Sequence, residues 1–170
     1  GAENIGPGMV PPIYNRSFTI TADVEAPAAG AEGVLVANSD AMGGFSLYVQ
    51  DGRLRYTYSF LGVQIETLTA TEPMPAGKVK VRYEFTADQP GKMATSGRGK
   101  LFLGDKLVGE NTLTRTAPLR FSSYAGMDIG RDNGEPVSLG ARLGGATTRS
   151  LAAPCRAAKA SAWAWRWRGA

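Results

Sequence analysis

The chain has 170 residues, 43% of them hydrophobic and 20% charged, with 22 glycines and 10 prolines. That size supports one cored domain; the Gly and Pro content favours short elements joined by turns, and no apolar run is long enough for a membrane span. The net charge of +4 misleads about nucleic acid: residues 141–170 hold six cations and no anion, leaving 13 cations against 15 anions elsewhere, so the body offers no basic surface for phosphates. Histidine is absent and Cys155 is the single cysteine, which excludes an internal disulfide and Ser-His-Asp or Cys-His triads, and argues against zinc. The sequence starts at Gly1 with no basic-then-apolar leader, so a fragment or processed piece is expected.

Residues 1–16 are rich in Gly, Pro and Asn and read as a lead-in segment. Ser17–Glu25 alternates, with Phe18, Ile20, Ala22 and Val24 on one side and Thr19, Thr21 and Asp23 on the other, the period of a half-buried strand. Pro27 to Gly33 is a turn, and Val34–Ala37 a second strand. Gly43-Gly44 opens a third, with Phe45, Leu47 and Val49 inward; Asp51-Gly52 is a strong hairpin signal. Arg53–Phe60 puts Leu54, Tyr56, Tyr58 and Phe60 on one face, Gly62 breaks the run, and Val63–Thr69 follows as a strand. After the turn at residues 72–77, Lys78–Phe85 sets Val79, Val81, Tyr83 and Phe85 inward and Lys78, Lys80, Arg82 and Glu84 outward. A polar loop spans 87–99, Lys100–Leu103 and Leu107–Thr114 form a hairpin, and Leu119–Phe121 and Met127–Ile129 are weaker strand candidates. No helix is expected. Short strands with one apolar face each bury those faces as two stacked sheets or a closed barrel.

Several stretches, taken in order, resemble the C-terminal region of bacterial arylsulfatases: Pro7–Val10, Asn15–Val24, Ala31–Ala37, Gly43–Val49, Pro75–Gly77, Val81–Phe85 and Asp128–Ser138. The resemblance implies an all-β, concanavalin/laminin-G-like two-sheet antiparallel sandwich (a jelly roll) over residues 17–138. In that family it follows an alkaline-phosphatase-like catalytic domain, which would be its partner. The family's chemistry lies upstream, where a C/S-x-P/A-x-R motif yields formylglycine beside Ca²⁺; here Cys155-Arg156-Ala157-Ala158-Lys159 ends in Lys, not Arg. No catalytic, cofactor-binding or metal residue is therefore carried over, and no cofactor is expected in this chain. Compartment, periplasmic or cytoplasmic by resemblance, stays open.

Three groups of side chains are candidates for something more. Asp128, Asp132, Asn133 and Glu135, with Gly130 and Gly134, look like a calcium loop, but lack EF-hand spacing, and a turn is favoured. Tyr48, Tyr56, Tyr58, Phe60, Tyr83 and Phe85 could present a sugar platform, but all except Tyr48 fall on inward faces, where core packing is favoured. Lys78, Lys80 and Arg82 could hold an anion, though solvated strand faces commonly carry such charges. Residues 139–170 depart from the family: Ala, Arg and Gly fill 18 of the 30 positions from 141 onward. A reading-frame shift near 139–140 is the favoured explanation, with a disordered tail and an unpaired sheet edge as consequences. Its rival is a membrane-interface peptide built on Trp163, Trp165 and Trp167 with Arg166 and Arg168. The leading functional expectation is an accessory domain of an arylsulfatase, inactive alone. A free-standing laminin-G-like carbohydrate-binding module is the alternative.

Overall fold

The computed structural model describes residues 5–6, 9–40, 43–118, 126–130 and 164–167. These form strands β1 Phe18–Ala26, β2 Gly33–Asp40, β3 Gly43–Gln50, β4 Arg53–Phe60, β5 Gln64–Thr69, β6 Gly77–Ala87, β7 Gly97–Leu103, β8 Lys106–Leu113, β9 Asp128–Ile129 and β10 Ala164–Trp167. No helix occurs among the described residues. The strands pair antiparallel into two sheets, ordered β10-β1-β6-β7-β8 and β5-β4-β3-β2-β9. This is the expected all-β, two-sheet antiparallel sandwich.

Alternation explains which faces meet. Phe18, Ile20, Ala22 and Val24 of β1 pair with Phe85, Tyr83, Val81 and Val79 of β6, so both strands bury one common row. Phe45, Leu47 and Val49 of β3 pair with Tyr58, Tyr56 and Leu54 of β4 in the other sheet. All but Val79 are buried, and Val79 packs against their cluster. The two layers meet where Tyr56 stacks on Tyr83, with ring centroids 3.6 Å apart and planes 13° from parallel. Such a pair adds about 1 kcal/mol beyond the area it buries.

Polar ties hold the margins. At one edge the Thr71 N–H and Oγ1–H both donate to the Val108 carbonyl, at 2.6 and 3.0 Å. The lead-in is anchored at Asn15, a left-handed residue with φ of 56°. Its Nδ2 donates to Pro118 O at 2.9 Å, while its Oδ1 accepts the Ala94 N–H at 3.0 Å. An Asn in that conformation costs less than most residues, because its short side chain bonds locally.

One expectation is corrected at the β1 edge. Instead of an unpaired edge, four residues of the tail form β10, with Trp167 opposite Phe18, Arg166 opposite Thr19, Trp165 opposite Ile20 and Ala164 opposite Thr21. The Trp-Arg-Trp alternation has the period of a strand and matches the period of β1. The other tail residues, Cys155–Lys159 and Trp163 among them, lie outside the described residues, as does Leu119–Phe121.

Candidate functional site

Of the calcium-like loop, Asp128, Ile129 and Gly130 are described. Asp128 is buried in β9 opposite Ala37, and Gly130, at φ 82°, donates its N–H to Leu35 O at 2.9 Å. This part of the loop ends a sheet and then turns. Arg131 to Glu135 lie outside the described residues. Among the described residues, no three His, Cys, Asp or Glu side chains gather as a metal would require.

The six aromatics divide. Tyr56, Tyr58, Tyr83 and Phe85 are core residues. Phe60, expected inward, is only half-buried, and the Arg115 guanidinium lies 5.5 Å from its ring centroid. It stands at the end of β4, where the second sheet runs out into a turn. Tyr48 shares its row with Arg55 and Val34, on the outward side of β3 as expected. Its hydroxyl lies 3.0 Å from Thr57 Oγ1, which lies 2.9 Å from Thr67 Oγ1. The described rings therefore form no open platform, but the outer face of this sheet carries a relay of hydroxyls across three strands.

Burial fixes the chemistry of the core tyrosines. Tyr56, Tyr58 and Tyr83 are pushed well above the usual phenol value, mainly because burial disfavours the phenolate. The Ala117 N–H donates to the Tyr58 hydroxyl at 2.6 Å, which opposes that push. A cavity of about 10 Å³ lies among Tyr14, Phe18, Tyr56, Tyr58, Phe85 and Thr116. That is room for about one water molecule, not a substrate. These phenols stay protonated at neutral pH and serve packing.

The cationic face is compensated. Lys78 and Lys80 stand opposite Glu25 and Asp23 in the register, and Lys80 Nζ is 3.9 Å from Asp23 Oδ1. Arg82 Nε lies 3.0 Å from Glu84 Oε1, and its guanidinium sits 4.2 Å from the Phe102 ring centroid. Each of these cations has an acid beside it, so the row offers little net field to an anion.

Three of the six large apolar side chains exposed among the described residues fall within five positions that the sequence pattern does not single out. Leu61, Val63 and Ile65, in the β4–β5 hairpin, are 47%, 81% and 42% exposed. Leu61 and Gly62 both take positive φ, 50° and 71°, and Val63 N–H closes the turn on Phe60 O at 3.1 Å. A leucine held left-handed costs about 1–2 kcal/mol. The one signal in the sequence is the chargeless run Leu61-Gly62-Val63-Gln64-Ile65 at a strand end, which periodicity alone reads as an ordinary strand start.

No protein-family model and no curated protein matches this sequence. Among solved structures, the chain is similar to a native heptameric SAP-like pentraxin from Limulus polyphemus, at 16% identity and a TM-score of 0.41. The match covers 69% of this chain and 53% of the pentraxin, so the chain spans about half that protein's length. The sandwich described here rests on its own strand order and pairing.

Proposed function

We propose that this chain is a non-catalytic accessory sandwich of an arylsulfatase-type enzyme, bracing a catalytic domain that hydrolyses a sulfate ester to an alcohol or phenol plus sulfate. The supporting observation is where the arylsulfatase-like residues fall. Asn15 knots the lead-in to two loops, Phe45 and Leu47 line the core, and Val81, Tyr83 and Phe85 fill it from the other sheet. Gly43, at φ 122°, leaves room where a Cβ would sit 2.7 Å from Ser59 O. The resemblance is thus concentrated in residues that build the sandwich. The Ca²⁺ and formylglycine that it implies belong to the upstream domain, and the described residues supply no matching cluster of ligands. No step of the hydrolysis is assigned to this chain.

A second reading, a carbohydrate-binding module, draws on the Tyr48–Thr57–Thr67 hydroxyl relay, since hydroxyl rows can hydrogen-bond sugars. The coding sequence upstream separates the two. A C/S-x-P/A-x-R motif in the same open reading frame is expected, together with no aryl sulfate turnover by the 170-residue chain. Saturable turnover by that chain alone defeats the proposal. Micromolar glycan-array binding without an upstream sulfatase domain transfers it to the module class.

A further inference from the structure

Resting on the accessory-domain reading, we infer that the β4–β5 hairpin tip, Leu61, Val63 and Ile65, docks into an apolar recess of the catalytic domain that precedes this sandwich. Three observations converge on this end of the molecule. The tip holds three exposed apolar side chains within five residues that carry no charge. Its turn keeps Leu61 in a left-handed conformation that Gly, Asn or Asp would adopt at lower cost. A local preference overridden in this way points to a demand for that side chain at that place.

The third observation is where the lead-in enters. Glu66, Tyr58, Phe45 and Asn38 form one row across β5, β4, β3 and β2. Asp128 of β9 stands opposite Ala37, so Met127 continues that row, and Ile5 exchanges two backbone hydrogen bonds with Met127 at 3.0 and 3.1 Å. The lead-in therefore meets the sandwich at the end where the hairpin projects, three residues beyond Tyr58. The separation is about five strand spacings, roughly 24 Å. A domain joined ahead of Ile5 sits within reach of the tip. Arg115, over the Phe60 ring at the base of the hairpin, sets the rim chemistry: a carboxylate on the partner, beside an apolar floor.

The test is a double variant, Leu61→Asn with Val63→Ser, made in the 170-residue chain and in the longer polypeptide. In the short chain the thermal midpoint should stay or rise, because Asn accepts the left-handed turn; this verifies folding. In the longer polypeptide the parent should unfold in one calorimetric transition and the variant in two, the sandwich having lost its dock. Identical traces for parent and variant overturn the inference while leaving the accessory reading intact. Absence of an upstream sulfatase domain sinks both. Two further outcomes also overturn it. Self-association of the short chain that the variant abolishes assigns the tip to a second copy. Variant-sensitive cosedimentation with phosphatidylcholine–phosphatidylglycerol vesicles assigns it to lipid.

Discussion

At the start of β4 the chain turns through Asp51 and Gly52, at φ 53° and 66°; at its far end it turns through Leu61 and Gly62, at φ 50° and 71°. The first turn uses residues that tolerate this backbone and ties them down. Arg55 Nη2 donates to Asp51 Oδ2 at 2.8 Å, Gly52 N–H to Glu32 Oε1 at 3.2 Å, and Met74 N–H to Gly52 O at 2.7 Å. The second turn puts an apolar side chain where the backbone disfavours one, and leaves it exposed. Two turns of one strand, with matching dihedrals, thus obey different demands. The first is finished by contacts within the sandwich. The second keeps side chains that gain only when something apolar meets them.

The largest effect comes from breaking the support of the second turn. In Gly43→Ala the added Cβ would lie 2.7 Å from Ser59 O and 3.0 Å from Leu61 N, at a φ of 122° that an L-residue resists. A loss of about 3 kcal/mol is expected in urea unfolding, since the clash is with backbone. An unchanged midpoint would mean that the turn relaxes freely.

An effect smaller for each group tests β4 and the strand stacked on it, through Tyr56 and Tyr58 of β4 and Tyr83 of β6. In the unfolded chain these phenols ionise near pH 10; in the folded state burial holds them protonated to higher pH. The unfolded state therefore binds fewer protons above pH 10, and stability falls as pH rises from there, by up to about 1.4 kcal/mol per pH unit for each phenol. Below pH 9 their contribution is complete and flat. Urea midpoints at pH 8, 9, 10.5 and 11 check this; Tyr56→Phe should flatten the alkaline limb.

The smallest effect exchanges the characters of the turns. Leu61→Asn should raise stability of the 170-residue chain by about 0.5–1 kcal/mol, and Asp51→Leu should lower it by about 1 kcal/mol, from the left-handed preference and the lost Arg55 contact. Equal responses at both sites would show that the turns are equivalent.

Much of this architecture is legible in the order of the residues. The alternations at Phe18–Val24, Phe45–Val49, Leu54–Tyr58 and Val79–Phe85 identify inward rows, because burying one face of a strand requires period two. Asp51-Gly52 announces its turn for the same local reason. Legibility ends where distant contacts decide. Gly62 marks a break, but nothing in Leu61 announces a left-handed residue; Gly43, its neighbour in space, makes that backbone possible. Phe60 alternates like a core residue and yet lies half-buried, since the sheet ends there. Trp165 and Trp167 read as part of a disordered, unpaired tail because their partner, β1, lies far away in sequence. Asp128 resembles a ligand and is a buried edge residue, an outcome set by pairing with β2.

Amide hydrogen exchange compares the two ends of β4 most directly, measured on the 170-residue chain and on the longer sulfatase polypeptide proposed for it. Exchange across residues 61–65 should slow markedly in the longer polypeptide, while residues 51–53 exchange at the same rate in both. Equal exchange of residues 61–65 in the two proteins would contradict the claim that this turn is built for a partner.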